Sequence, residues 1–308
     1  MKIAIIYNPA AGTARRLNRL ARLERQLQIL GNTTVTYYTS QSGEATELTR
    51  RAVVEGAEIV VAVGGDGTVN EVIQELVEHD VPLAVYPAGT TNVWCQQVNM
   101  PVNPRLAADV ICNGPRYQVD LGQVGDRYFL LMIGIGLDGE IVQTVNLDLK
   151  KRVGKLAYVV AGWRALKFRG TLVNITLDSG RTNEHSITVR ASLIIVTNSE
   201  RYATLKLAHE AQVDDGQLEM LIFEDSRLSK KFAQAVSVLA NRREWDVNIE
   251  RYRVHTARIA ANPPVAAQID GDLMGQVGSQ AVEIRCVHKA IRVIVPAKVP
   301  ANLFSHGE

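Results

Sequence analysis

The sequence predicts an α/β domain with a mainly parallel sheet, followed by a β-rich second domain folded as an antiparallel sandwich. Three observations carry that expectation. Residues 1–118 alternate short apolar runs with amphipathic stretches over brief connections, the pattern of parallel strands covered by helices. Beyond about residue 118, β-rich runs follow one another and only two helical stretches interrupt them. A length of 308 residues, at roughly 150 per domain, makes two domains the default. The expected boundaries are 1–118, rejoined by the C-terminal 296–308, and 119–295.

Residues 2–7 (KIAIIY) form an apolar run that stops at Asn8-Pro9. Over 14–30, Leu17, Leu20, Leu23, Leu27 and Leu30 recur at three- and four-residue spacing, which predicts an amphipathic helix. A strand at 35–38, a helix at 44–55 and a buried strand at 59–63 follow, the last ending at Gly64-Gly65. A helix at 69–78 then leads to a strand at 83–86 that stops at Pro87-Ala88-Gly89. In the second half, strands are expected at 118–124, 128–134, 171–177, 186–197, 218–223, 251–260, 265–269, 282–287 and 291–295, with helices at 152–168 and 228–241.

Composition excludes several classes. Charged residues at 21% and hydrophobic residues at 46% describe neither a disordered nor a collagenous chain. A net charge of +2 argues against a globally basic nucleic-acid binder, and no nucleic-acid partner is expected. Cys95, Cys112 and Cys286 show no C-x-x-C spacing, which fits a reducing cytosol rather than a disulfide framework or zinc ribbon. The longest apolar runs fall far short of the roughly 20 residues that span a bilayer. The start of the chain lacks the apolar region of a signal peptide, so a cytoplasmic protein is expected.

Three loops sit where strands hand over to helices: Asn8-Pro9-Ala10-Ala11-Gly12, Gly64-Gly65-Asp66-Gly67-Thr68, and Pro87-Ala88-Gly89-Thr90-Thr91-Asn92. In an open α/β sheet, ligands bind at the carboxyl ends of the strands, where all three lie. Glycines let backbone approach phosphate oxygens, and helix N-termini supply unpaired N–H donors with a positive partial charge. Asp66, amid such donors, suits a cation or its water rather than the phosphate. One such loop is usually only a turn; three on one sheet edge point to a phosphate site. Gly134-Ile135-Gly136-Leu137-Asp138-Gly139 satisfies G-x-G-x-x-G but lies in no clear βαβ unit, so a dinucleotide site is discounted. No Gly-x-x-x-x-Gly-Lys-Ser/Thr occurs, and the six histidines lack His-x-x-x-His spacing.

Gly64-Gly65-Asp66-Gly67-Thr68 with Asn70-Glu71, preceded by Asn8-Pro9-x-x-Gly12 and followed by Pro87-x-Gly89-Thr90-x-Asn92, resembles the diacylglycerol kinase-type lipid kinases, which include sphingosine and ceramide kinases. Asp120-Leu121-Gly122, Gly134-x-Gly136-x-Asp138, Asp214-Asp215-Gly216-x-Leu218 and Ile269-Asp270-Gly271-Asp272 continue the resemblance through the second half. The Gly-Gly-Asp-Gly-Thr loop alone is shared with NAD kinases and phosphofructokinases, so the resemblance implies a first domain of that kind.

The resemblance implies a kinase using ATP and Mg²⁺ to phosphorylate a hydroxyl of a diacylglycerol-like or sphingoid lipid. Asn8, Pro9, Ala10, Ala11, Gly12, Thr39, Gly64, Gly65, Asp66, Gly67, Thr68, Val69, Asn70, Thr90 and Asn92 would contact the nucleotide, and Asp66 and Asp120 the catalytic Mg²⁺ network. The family places an acid, typically Glu, directly after Asp-Gly; here Asp272 is the candidate base, one methylene shorter, and Asp270 shares the work. The plainer reading of Asp270-Gly271 is a hairpin turn, and of Asp120 a turn acid. Carried over by position, Asp215 through its carboxylate and Gln212 and Gln217 through their carbonyls would hold a structural Mg²⁺ or Ca²⁺. Two segments depart from the family: Asn92-Val93-Trp94-Cys95 where Asn-Asp-Phe-Ala is frequent, and 202–209, which lacks the usual Gly-Gly and Pro. The lipid is left open by both.

Residues 150–169 carry seven basic side chains and no acid, so the +2 of the whole chain leaves −5 for the remainder. Leu156, Val159, Val160, Trp163 and Leu166 make an apolar stripe at helical spacing. Such a helix either seeks an anionic membrane surface or packs on the cleft with a solvated basic rim. Two other readings compete: an NAD kinase-like enzyme with a soluble acceptor, and a non-catalytic nucleotide- and lipid-binding regulator, towards which the Asp at 272 leans. A homodimer is compatible with the sequence.

Overall fold

The computed structural model describes residues 1–11, 14–137, 139, 170–202, 205–225 and 249–305. Gly12, Asp138, the basic segment 150–169 and the expected helix at 228–241 lie outside the described residues.

Strands β1 (Lys2–Tyr7), β2 (Thr33–Tyr38), β3 (Ile59–Gly64) and β4 (Leu83–Pro87) are parallel, in the order β2-β1-β3-β4. Helices α1 (Ala14–Ile29), α2 (Glu44–Val54), α3 (Asp66–Leu76), α4 (Val93–Gln97) and α5 (Pro104–Asn113) accompany them, with α1 packed on α5 and α2 on α3. β3, IVVAVG, is buried at every residue, as a central parallel strand with both faces covered must be. Leu20, Leu23 and Leu27 of α1 are buried, whereas Leu17 and Leu30, near its two ends, are exposed. Helices α4 and α5 add to the expected elements. α5 starts as capping chemistry dictates: the Asn103 side chain accepts from Arg105 N and Leu106 N, and Pro104 occupies the first turn.

The remaining strands are β5 (Arg116–Val124), β6 (Arg127–Phe129), β7 (Met132–Gly136), β8 (Thr171–Leu177), β9 (His185–Thr197), β10 (Arg201–Tyr202), β11 (Leu205–Lys206), β12 (Leu218–Glu224), β13 (Ile249–Val254), β14 (Thr256–Asn262), β15 (Val265–Ile269), β16 (Asp272–Val277) and β17 (Val282–Ile294). Their pairings are antiparallel, apart from β17 with β4. β8 alternates buried and exposed residues, one face on the sandwich core and one outward. That core gathers Val173, Ile175, Ile194, Val196, Met220, Ile222, Ala257, Ile259 and Ile284. β9 changes neighbours midway: its first half pairs with β8, its second half lies between β7 and β12.

Three differences from the expected strands have physical causes. The run 251–260 is two strands, because His255 N and Thr256 N both donate to the Asp178 carboxylate (2.7 and 3.1 Å) and turn the chain there. β16 follows a tight turn after Ile269. The runs 282–287 and 291–295 are one strand, β17, broken only by a register shift in which Lys289 takes φ 52°. Beyond that bulge β17 pairs parallel with β4 through Val293 and Leu83, so it belongs to both halves of the molecule. The C-terminal segment packs back as well: Phe304 stacks on Tyr117, and Val213 N donates to Leu303 O.

Asp120 holds this bulge. It is fully buried; Oδ1 accepts from Lys289 N (2.6 Å) and faces His288 Nδ1 at 2.8 Å, while Oδ2 accepts from Gly216 N (2.6 Å). Asp120→Ala should therefore cost about 3 kcal/mol or more, since it strips the acceptor from several donors at once. Urea denaturation without Mg²⁺ or nucleotide measures this, and an unchanged midpoint would remove Asp120 from the scaffold.

Candidate active site

β1, β3 and β4 deliver their loops to one sheet edge. Ala88 N and Gly89 N both donate to Gly64 O (3.1 and 2.9 Å), so the second and third loops touch through backbone. A Cβ on Gly89 would lie 2.4 Å from Gly65 Cα, and one on Gly64 2.3 Å from Thr68 Oγ1. Glycine at 89 is required for the approach of the two loops, and glycine at 64 leaves the room that the Thr68 side chain occupies. Asn92, at φ 51°, closes its own turn: Gly89 N donates to Asn92 Oδ1 (2.8 Å) and Asn92 Nδ2 to Gly89 O (3.0 Å). The first loop joins α3, with Asn8 Nδ2 donating to Thr68 Oγ1 (3.2 Å) and Ala10 N to Asn8 Oδ1 (2.9 Å). Pro9–Ala11 is a single 3-10 turn, with Pro9 and Ala10 exposed. Thr39 is buried at the end of β2, its N–H on Tyr7 O (2.9 Å), and Thr90 is exposed.

α3 begins with no side chain capping its first turn, because the N-cap is Gly65. A helix start of that kind, beside backbone-lined loops, suits an anion. Asp66, at the first position, is half-buried; Trp94 N at the start of α4 donates to its Oδ1 (3.4 Å), and the backbone N–H groups of Asn92 and Val93 lie near its carboxylate. Burial raises its carboxyl above the ordinary range, and those donors oppose the rise.

Two residues of the expected nucleotide set are committed elsewhere. Val69 is buried in the core and its N–H donates to Gly65 O (3.2 Å). Asn70 Nδ2 donates to Tyr128 O (3.0 Å) and to Asp270 Oδ2 (2.9 Å). One turn on, Gln74 Nε2 reaches Tyr128 O (2.9 Å) and Gln74 Oε1 accepts from Tyr128 N (2.9 Å). One face of α3 is thus bonded to β6 and to the turn after β15.

That turn is Asp270-Gly271, with φ 48° and 94°, closing a two-residue hairpin in which Ile269 faces Asp272. Asp270 is buried. Its Oδ1 accepts from Leu131 N (3.1 Å) and Met132 N (2.8 Å), and its Oδ2 from Leu130 N (3.1 Å) and Asn70. Its environment is that of a scaffold carboxylate. Asp272, two residues on, is exposed, and its Oδ2 lies 3.7 Å from where a Cβ on Gly67 would sit. The hairpin therefore sets a carboxylate opposite the glycine loop at the start of α3.

Asp120 belongs to a different cluster, with His288, Lys289 and Gly216. Asp215 lies beside it: Oδ1 accepts from Gln217 N (2.9 Å) and Oδ2 pairs with Arg253. Among the described residues, no group of three or more His, Cys, Asp and Glu side chains could hold a metal ion. Glu71 is a residue that motif reading passed over as a site residue. Its carboxylate accepts from Gly43 N (2.8 Å) and Ala45 N (3.0 Å), fixing the start of α2 beside the site. Only its place in the Asn70-Glu71 pair marked it.

Burial outweighs the donors at Asp270 and pushes its carboxyl up to about 6. The folded chain therefore binds this proton more tightly than the unfolded one. The stability Asp270 contributes should be complete below about pH 4 and lost as pH rises through about 6, on the order of 1–3 kcal/mol. Denaturation midpoints across that window should show the decline, and Asp270→Asn should flatten it.

Two family models match the chain: the diacylglycerol kinase catalytic domain over residues 2–124 and the YegS C-terminal NAD kinase beta sandwich-like domain over 132–295. A diacylglycerol kinase of Bacillus subtilis is 30% identical over 303 residues, covering 97% of this chain and 98% of its own length. A diacylglycerol kinase of Staphylococcus carnosus is 28% identical, covering 96% and 95%. A crystal structure of a diacylglycerol kinase from Bacillus anthracis superposes with a TM-score of 0.77 at 21% identity, covering 96% of this chain and 97% of that one, which shows the fold. With both domains matched in order over nearly its whole length, the chain belongs to the diacylglycerol kinase-type family of lipid kinases.

Proposed function

We propose that this lipid kinase transfers the γ-phosphoryl group of ATP to a hydroxyl of a diacylglycerol-like or sphingoid lipid, at the cleft between the glycine loop and the Asp272 hairpin. The observation that carries the reading is Asp272 Oδ2 opposite Gly67, at the open start of α3. Phosphoryl transfer needs held phosphates, countercharge, and an acceptor for the proton of the attacking hydroxyl. The backbone of the 64–68 and 87–92 loops and the helix start would bind the phosphates. Asp66 fits an ion that is bound through one or two carboxylates plus phosphate oxygens, as Mg²⁺ is with nucleotides. When bound, Mg²⁺ supplies positive charge that offsets charge on the phosphoryl oxygens.

Asp272 would take the proton as the lipid oxygen bonds to the γ-phosphorus and the bond to the bridging oxygen breaks, leaving ADP. Asp270 would be a positioning residue, fixing the turn that aims Asp272. That Asp272 Oδ2 lies 3.7 Å from the position of a Gly67 Cβ supports the reach of this side chain, shorter than Glu.

Residues 150–169, with their seven basic side chains, would bring the enzyme reversibly to anionic membrane surfaces. No helix among the described residues is long and apolar enough to cross a membrane.

Incubation with labelled ATP, Mg²⁺ and fractionated lipid extract should label a lipid in the diacylglycerol or sphingoid fraction; label on a soluble acceptor alone would reject the reading. Asp272→Asn should lower kcat by about 10²–10⁴-fold while the thermal midpoint holds, and Asp272→Glu should retain activity. Full kcat in Asp272→Asn would mean that another group takes the proton.

A further inference from the structure

The turn 212–217 is where the family resemblance implies a structural cation, held by the Asp215 carboxylate and the carbonyls of Gln212 and Gln217. A hard divalent ion needs several oxygens converging on one point with lone pairs to spare. The one carboxylate of that set is already committed. Asp215 Oδ2 is taken by the guanidinium of Arg253 and Oδ1 by Gln217 N at 2.9 Å. Of the carboxylates beside it, Asp214 Oδ1 accepts from Ser305 N (2.6 Å), and both Asp120 oxygens are engaged with Gly216, His288 and Lys289. The Gly216 carbonyl faces His255 Nδ1 at 2.8 Å. A second positive charge would sit beside a guanidinium that cannot deprotonate.

We infer that Arg253 is the permanent cation of this turn, so that the chain binds no structural metal ion there. A structural ion cross-links segments, and Arg253 does the same. It lies on β13, which among the described residues pairs only with β12, and it reaches back to the turn that precedes β12. The turn is in turn tied to β5, because Asp120 N donates to Val213 O at 2.7 Å. Asp215 is mostly buried while Arg253 is half-exposed, so the pair sits at the rim with its carboxylate inward. Arginine suits this place better than lysine, since its planar fork holds one geometry against a carboxylate.

The test is thermal unfolding of the full chain without nucleotide, in EDTA, Mg²⁺ or Ca²⁺. The wild-type midpoint should stay within about 1 °C across the three, as expected where no cation binds only the folded state. Arg253→Met keeps the stem and removes the charge; it should lower the midpoint by about 2–4 °C in EDTA. Mg²⁺ or Ca²⁺ should restore part of that loss at the vacated carboxylate. A wild-type midpoint that rises with either cation and no longer does so in Asp215→Asn would overturn the inference. So would an Arg253→Met chain as stable as wild type in EDTA. Should Arg253→Met not fold, Mn²⁺ binding to wild type, read by electron paramagnetic resonance, decides: a site lost on Asp215→Asn contradicts the inference, and binding unchanged by that substitution supports it.

Discussion

Four N–H donors from two domains converge on one buried carboxylate, and the placement of the Asp272 hairpin against the glycine-loop helix depends on that convergence. The backbone N–H groups of Leu130, Leu131 and Met132 and the side-chain amide of Asn70 all point at Asp270. Without an acceptor there, each donor would be buried unpaired, at about 1–3 kcal/mol apiece. Asn70 stands one turn into the helix that begins at the glycine loop, while Asp270 is the first residue of the hairpin turn in the second domain. Bonding the two fixes the glycine-loop helix start relative to that hairpin. Gln74 repeats the link one turn further along, against both backbone groups of Tyr128.

The division of labour within Asp270-Gly271-Asp272 follows from this anchor. Asp270 and Gly271 take the positive φ values of a two-residue hairpin, and the strand alternation that resumes after them aims the next side chain outward. The residue so aimed is Asp272, beside Gly67. Turn, anchor and cleft carboxylate are consecutive residues, and altering one disturbs the others. On the opposite loop the constraint is steric: Gly89 admits no Cβ because its loop meets Gly65 backbone to backbone, and Gly64 admits none because the Thr68 side chain fills that space.

Local features were legible in the sequence. The apolar run of β3, the strand–helix alternation and the glycine-marked loop ends are each written in contiguous residues, and the structure places them as expected. The helix α5 was equally legible in Asn103-Pro104, a cap followed by a first-turn proline, and was passed over. The pairings that build the site were not legible. Asn70 and Asp270 are 200 residues apart, and Asp120 and His288 168 apart, and no periodicity relates such positions. The bulge in β17 resembled a gap between two strands because two of its three residues unpaired with β5, His288 and Lys289, are polar and exposed. Reading Asp270-Gly271 as either a turn or a functional motif posed a false choice, since the residue pair makes the turn that presents Asp272.

Amide hydrogen exchange in wild type and Asp270→Ser reads out whether Asp270 couples the glycine-loop helix to the second domain. The substitution should speed exchange together at Leu130, Leu131 and Met132 and along α3 from Val69 to Gln74, on both sides of the link. Faster exchange confined to the turn before β7, with α3 as protected as in wild type, would contradict it.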